Sequence, residues 1–307
     1  MALSFRIGKI PVKIVPSFFL MAALLGGLDD RNLGVLAAWM VVVLISVLAH
    51  ELGHATTALL FGLTPRIELY AMGGTTSWSA PKAPSRARRI IITLAGPAAG
   101  FVFAGAVLLL HASFGSRLFA GAIGAYAYAS LLAVNVGWGV LNLLPMLPLD
   151  GGNVLLQVLH GATGERGERP ARIVSIVVAL AGVVLGLIAH SLWPAFLSAS
   201  FIFSNARALS DLAAADHDAP MRAALEQAYV ALDAKNGFRV LELARPAALS
   251  ARTEPVRAEA LQLLAFGFLL EGRLADAEAA IAAMPQGYTP HPSLLHLRSA
   301  TRGATPS

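Results

Sequence analysis

Long apolar runs separated by short polar loops fill the first two-thirds of the chain. A helix needs about 20 apolar residues to cross the hydrocarbon core of a bilayer. Six stretches approach that length: residues 12–28, broken early by Pro16, then 33–63, 90–111, 119–147, 173–190 and 194–209. The last is short and carries Ser and Asn. A further apolar helix over 150–160 is too short to count as a crossing. The pattern predicts an α-helical polytopic membrane protein with six transmembrane helices over residues 1–210.

The pattern changes near Asp211. Residues 211–290 are rich in Ala, Leu, Glu and Arg and predict a small all-α domain. Leu261, Leu264, Ala265, Phe268, Gly272, Ala277 and Ile281 match the spacing of a tetratricopeptide helix pair, and residues 221–246 are a weaker copy. Such repeats need about three copies for stability, so a plain helical hairpin domain fits equally well. A protein partner for this domain is the corresponding expectation. Residues 291–307 read as a disordered tail.

Composition sharpens the membrane reading. Charged residues make up 13% of the chain, against about 25% in soluble domains. The first apolar run lacks an A-x-A cleavage site and is followed by more spans, so it reads as a retained helix. The net charge is +5. Arg6, Lys9 and Lys13 precede the first span; Lys82, Arg86, Arg88 and Arg89 follow the second; Arg166, Arg169 and Arg172 follow the fourth. The opposite loops hold only Arg31 and Arg117. Because basic residues stay in the cytoplasm, both termini and the helical domain are expected there, in a cell membrane of the bacterial inner-membrane kind. The basic residues do not form one stripe, so nucleic acid is not an expected partner.

Cysteine is absent, which excludes disulfides and thiolate chemistry. Any metal must be held by His, Asp or Glu. His50-Glu51-Leu52-Gly53-His54 is an H-E-x-x-H pattern. On a helix the imidazoles four residues apart share a face and can bind one metal, with Glu51 beside them as general base. These groups interrupt an apolar helix, where one charged residue costs about 2.5–3.5 kcal/mol; a divalent cation compensates for them. Catalytic zinc takes three protein ligands and leaves a fourth position open. Glu165 and Glu168 lie in a Gly-Arg loop and are poorly placed. Asp150 is better: it closes the run Asn142-Leu143-Leu144-Pro145-Met146-Leu147-Pro148-Leu149-Asp150-Gly151-Gly152 on the side toward which the second span carries His54.

HELGH in one span, with N-x-x-P-x-x-P-L-D-G-G about a hundred residues on, resembles the site-2 protease family of intramembrane metalloproteases. Met72-Gly73-Gly74 and Ala95-Gly96-Pro97 are similar to further family segments, and the likeness covers residues 10–210. It is nearest the six-span subgroup without an inserted PDZ domain, although the helical tail departs from that subgroup's usual regulatory pair.

The resemblance implies a membrane-dipping β-loop after the second span and one Zn2+ per chain, held by His50, His54 and Asp150. Glu51 activates the attacking water and passes its proton to the leaving amine. Asn142 contacts substrate backbone or the oxyanion, and Gly73 and Gly74 leave backbone groups free for an extended substrate. Pro145 and Pro148 remove amide donors and interrupt the fourth span near the metal.

The implied activity is zinc endopeptidase cleavage within transmembrane segments, in regulated intramembrane proteolysis, with a transmembrane protein as substrate and the lipid bilayer as surroundings. Two alternatives share these features: a non-enzymatic membrane scaffold and a divalent-metal transporter. Retention of Glu51 speaks against the first. The second calls for further intramembrane acids, and the spans hold essentially only Glu51 and Asp150.

Overall fold

The computed structural model describes residues 2–26 and 32–294. It divides into Met1–Ala206 and Arg207–Ser307. In the first unit, β1 (Leu3–Ile7) and β2 (Ile10–Ile14) form an antiparallel hairpin. Gly8 sits in its turn at φ 57°, a backbone region that side chains disfavour. α1 (Pro16–Leu25) starts with Pro16 in its first turn, where a missing N–H costs nothing. α2 (Leu33–Leu60) follows, capped by the Asn32 side chain. Next come β3 (Thr64–Tyr70) and β4 (Gly73–Ser79), a second hairpin.

The strands form one sheet in the order β1-β2-β3-β4, with β2 parallel to β3. Alternate residues Ile10, Val12, Ile14, Ile67 and Leu69 are buried against Phe18, Val47 and Ala55, so the sheet lies on the start of α1 and the middle of α2. Lys13 and Glu68 pair on the other face at 2.8 Å.

α3 (Arg86–Phe114), α4 (Gly121–Asn142), α5 (Asp150–Thr163), α6 (Glu168–Ile188) and α7 (Leu192–Asp233) complete the first unit, α7 running on into the second. α2, α3, α4 and α6 are long and apolar enough to cross a bilayer. Val42, Val107 and Leu131 join α2, α3 and α4 in one cluster. Asn135 on α4 donates to Ser46 on α2 at 2.8 Å. A Cβ on Gly100 of α3 would sit 3.4 Å from the Asn135 carbonyl of α4, whereas one on Gly105 would meet open space.

The expected first and last spans look different in the structure. Residues 12–14 are strand, and α1 has 10 residues. At 1.5 Å per residue that is about 15 Å, half the hydrocarbon thickness. Residues 27 and 28 of that expected span, and Arg31 beyond it, fall outside the described residues. Residues 194–209 form part of α7, which is not among the four long apolar helices.

The second unit contains α8 (Gly237–Ser250), α9 (Glu254–Leu270) and α10 (Leu274–Ala282), with the end of α7. Leu225, Val240, Leu263 and Ile281 lie at the centre of its core. Leu261, Leu264, Ala265 and Ala277 are buried there as well. Most of the expected tail, residues 295–307, lies outside the described residues.

Candidate metal centre

His50 and His54 stand one turn apart on α2, both buried, with ring centroids 4.8 Å apart. Their Nε2 atoms are 3.1 Å apart. His54 Nδ1 lies 2.8 Å from the Ile92 carbonyl on α3. A carbonyl only accepts, so Nδ1 carries the proton and Nε2 of the neutral ring presents a lone pair. This contact requires α3 to lie very close to α2. A Cβ on Gly96 would sit 2.2 Å from His54 Nε2, and one on Gly53 would sit 2.3 Å from the Ala95 carbonyl. The glycines of HELGH and Ala-Gly-Pro are thus the two halves of one helix crossing.

Asp150 opens α5. Its Oδ2 lies 3.2 Å from His50 Nε2 and 3.5 Å from His54 Nε2. That oxygen is buried and accepts no hydrogen bond. The chain reaches this position by folding tightly between α4 and α5. A Cβ on Gly151 would meet the Leu143 carbonyl at 2.2 Å, and one on Gly152 the Leu147 nitrogen at 2.3 Å.

Three potential metal-ligating atoms therefore converge: His54 Nε2, Asp150 Oδ2 and His50 Nε2, the last a lone-pair donor in the tautomer that carries its proton on Nδ1. Ligands about 2.0–2.1 Å from one tetrahedral ion stand roughly 3.3 Å from each other. The observed edges of 3.1, 3.2 and 3.5 Å fit such an ion. Unpaired buried lone pairs are costly, and a divalent cation placed among them removes that cost.

Glu51 is also buried and lies within 4.8 Å of both imidazoles. It is held differently. Thr76 Oγ1 on β4 donates to Glu51 Oε2 at 2.7 Å and lies 3.1 Å from the Glu51 carbonyl. A Cβ on Gly74 would come within 2.5 Å of the Glu51 side chain. So β4 lies directly over the carboxylate and leaves Oε1 as its free oxygen.

Glu51, Asp150, both histidines, Gly74 and Asn142 line one cavity of about 500 Å³. Asn142 is buried at the end of α4. Gly73, at φ 114°, marks the turn into β4 and faces Trp138. Pro148 lines the cavity, whereas Pro145 is exposed and does not. Glu168, the weaker ligand candidate, is paired with Arg172 at 2.6 Å. Nothing in the sequence marks Thr76, an ordinary threonine in a strand. Only its position opposite Glu51 distinguishes it.

Residues 38–125 and 112–189 match peptidase family M50. The chain is 36% identical to the Mycobacterium tuberculosis protein Rip3 over 188 residues, which are 56% of this chain and 45% of that protein. It is 30% identical to the zinc metalloprotease MJ0392 of Methanocaldococcus jannaschii over 192 residues, 61% of this chain and 54% of that protein. The chain thus spans about half the length of the curated relatives it matches. Its fold resembles that of a site-2 protease from Methanocaldococcus jannaschii, with a TM-score of 0.50 and 23% identity over 67% of this chain and 94% of that one. Its long apolar helices mark it as a multi-pass membrane protein, and the chain belongs to peptidase family M50, the site-2 protease family.

Proposed function

We propose that this chain is a zinc endopeptidase that hydrolyses peptide bonds within or near transmembrane segments of other membrane proteins. The observation that carries the reading is the convergence of His50 Nε2, His54 Nε2 and the unpartnered Asp150 Oδ2, with a fourth buried group, Glu51, held beside them. His50, His54 and Asp150 hold the metal. Zinc, when bound, acidifies water and polarises a carbonyl.

The chain's own residues do the rest. Thr76 keeps Glu51 Oε2 occupied, so Oε1 takes the proton of the attacking water and returns it to the leaving amine. Asn142, in the cavity wall, orients the scissile carbonyl and stabilises its developing charge. A transmembrane helix hides its amides in its own hydrogen bonds, so a substrate must unwind before it can be cut. Among the described residues β4 pairs with β3 alone, and its outer edge is where an added strand would join. Substrate unwound at Gly73 and Gly74 pairs with that edge directly over Glu51.

The reading includes both termini in the cytoplasm of a bacterial cell, which the four long apolar helices also satisfy, and a role in regulated intramembrane proteolysis. The test is Glu51→Gln. The variant should keep one zinc per chain by elemental analysis and lose cleavage of a single-span reporter. A Glu51→Gln protein that still cuts the reporter would refute the proposal.

A further inference from the structure

Two buried polar side chains outside the cavity grip the backbone that delivers Asp150. The Leu147 N–H donates to Ser175 Oγ on α6 at 2.9 Å, and the Leu147 carbonyl accepts from Asn205 Nδ2 on α7 at 2.8 Å. Ser175 is 0% exposed and Asn205 is 1% exposed. One residue of the loop thus has both backbone groups satisfied by side chains from two different helices, three positions before the ligand.

The orientation of each side chain is determined. Ser175 Oγ gives its proton to the Ala171 carbonyl at 2.7 Å, so it faces Leu147 with a lone pair. Asn205 Nδ2 also donates to Phe201 O at 2.8 Å, while Arg172 Nη1 reaches Asn205 Oδ1 at 3.4 Å. A guanidinium only donates, so Oδ1 must face Arg172 and the amide nitrogen must face Leu147. Arg172 is fixed in turn by Glu168, at 2.6 and 2.9 Å. Met146 packs against Ala179 and Phe201 on the same two helices.

A serine or asparagine in an apolar helix can satisfy itself within its own turn, as the bonds to Ala171 and Phe201 show. That local bond does not account for the second reach of each toward Leu147. The ligand pair on α2 is fixed by helix geometry and by Ile92. Asp150 opens α5 after a non-helical stretch, and its buried Oδ2 accepts no hydrogen bond; Asn153 holds the Pro148 and Leu149 carbonyls from within α5, while the segment before them is held at Leu147.

We propose that Ser175 and Asn205 are positioning residues for the metal centre, which hold Asp150 at ligand distance by fixing the Leu147 backbone from both sides. The proposal rests on the reading of Asp150 as a metal ligand. It predicts that loosening either contact weakens metal retention far more than it weakens the fold.

The test uses the full-length protein in nanodiscs. Zinc affinity is measured by chelator competition for wild type, Ser175→Ala, Asn205→Asp and Asn205→Leu, and each metal-free protein is melted separately. Ser175→Ala removes one oxygen. Asn205→Asp keeps the shape but turns the donor facing Leu147 into an acceptor. Both should lower zinc affinity about 10-fold, the low end of what partners bonded directly to a ligand cost, because they act through the Leu147 backbone, with metal-free melting close to wild type. If Asn205→Leu fails to fold, the other two variants decide. Affinity within twofold of wild type in Ser175→Ala and Asn205→Asp overturns the proposal. So does a loss of affinity matched by an equal loss of metal-free stability. A wild-type protein that takes up no zinc overturns the underlying metal-site reading as well.

Discussion

Two aspartates, Asp218 fully buried and Asp150 half-buried with one buried oxygen, stand in opposite states of hydrogen bonding. Asp218, in the helical C-terminal unit, accepts from the N–H groups of Arg252 and Thr253 at 2.9 and 2.7 Å and from the Thr253 hydroxyl at 2.6 Å. His217 adds a contact at 3.0 Å. Asp150, in the membrane unit, has a buried oxygen with no donor at all and two imidazole nitrogens facing it. The first carboxylate ties a loop between helices and is complete. The second is incomplete, and what would complete it is a cation. The acid that the protein itself saturates is architecture; the one left short of donors beside two imidazoles is the one we propose binds a metal.

The largest expected effect separates the two directly. Asp150→Ala should cost more than a hundredfold in zinc affinity, since groups one step further out already cost about 10–100-fold. Its metal-free melting should not fall, because a costly unpaired oxygen is gone. Asp218→Ala should leave zinc affinity unchanged and destabilise the C-terminal unit by about 3 kcal/mol, because each stranded buried donor costs about 1–3 kcal/mol. Elemental analysis and hydrogen exchange over residues 207–294 read the two outcomes. Matching effects in both variants would erase the contrast.

The glycines sharpen it further. Gly96→Ala places a Cβ against the His54 ring and should release zinc much as Asp150→Ala does. Gly74→Ala places one against the Glu51 carboxylate instead. It should keep zinc and lose about a hundredfold in turnover, the effect of roughly 1 Å of misplacement at a reacting group. Zinc content and reporter cleavage, measured on the same preparations, distinguish ligand from base. Thr76→Val comes next in size. It removes one hydrogen bond to a charged group, worth about 1.5–3 kcal/mol, so turnover should fall about tenfold to a hundredfold with zinc and KM unchanged.

How much of this could be read in advance depended on whether the signal was local. The His50–His54 pair is a periodicity, and helical spacing alone puts both rings on one face. Asp150 stood out as an acid closing an apolar run. The strand β2 did not stand out. Ile10, Val12 and Ile14 alternate as a half-buried strand should, but they adjoin the apolar residues of α1, and composition merged the two into one span. Pro16 marks the true boundary: it starts a helix and does not interrupt one. Thr76 carried no signal, since its role comes from β4 lying across α2. Ser175 and Asn205 carried a weak one, as polar residues in apolar helices. Which groups they would meet depends on three segments converging, and nothing in their local sequence encodes that.

The smallest expected effect concerns pH and Asp218 alone. Burial by itself would raise its carboxyl pKa. The Arg252 N–H, His217 and the Thr253 hydroxyl and N–H together outweigh burial and hold it well below the usual carboxylate range. A group whose folded pKa is depressed contributes its full stability above the unfolded value of about 3.9. The contribution drains away as pH falls below that value, because the unfolded chain takes up the proton first. Deuterium uptake at Arg252 and Thr253, corrected for intrinsic rates, should therefore stay flat from neutrality to about pH 5 and climb below pH 4. In Asp218→Asn the uptake should begin higher and lose this acid dependence. The asparagine keeps one acceptor oxygen but has no charge to titrate, so a rise of the same size in the variant would assign the acid sensitivity to another group.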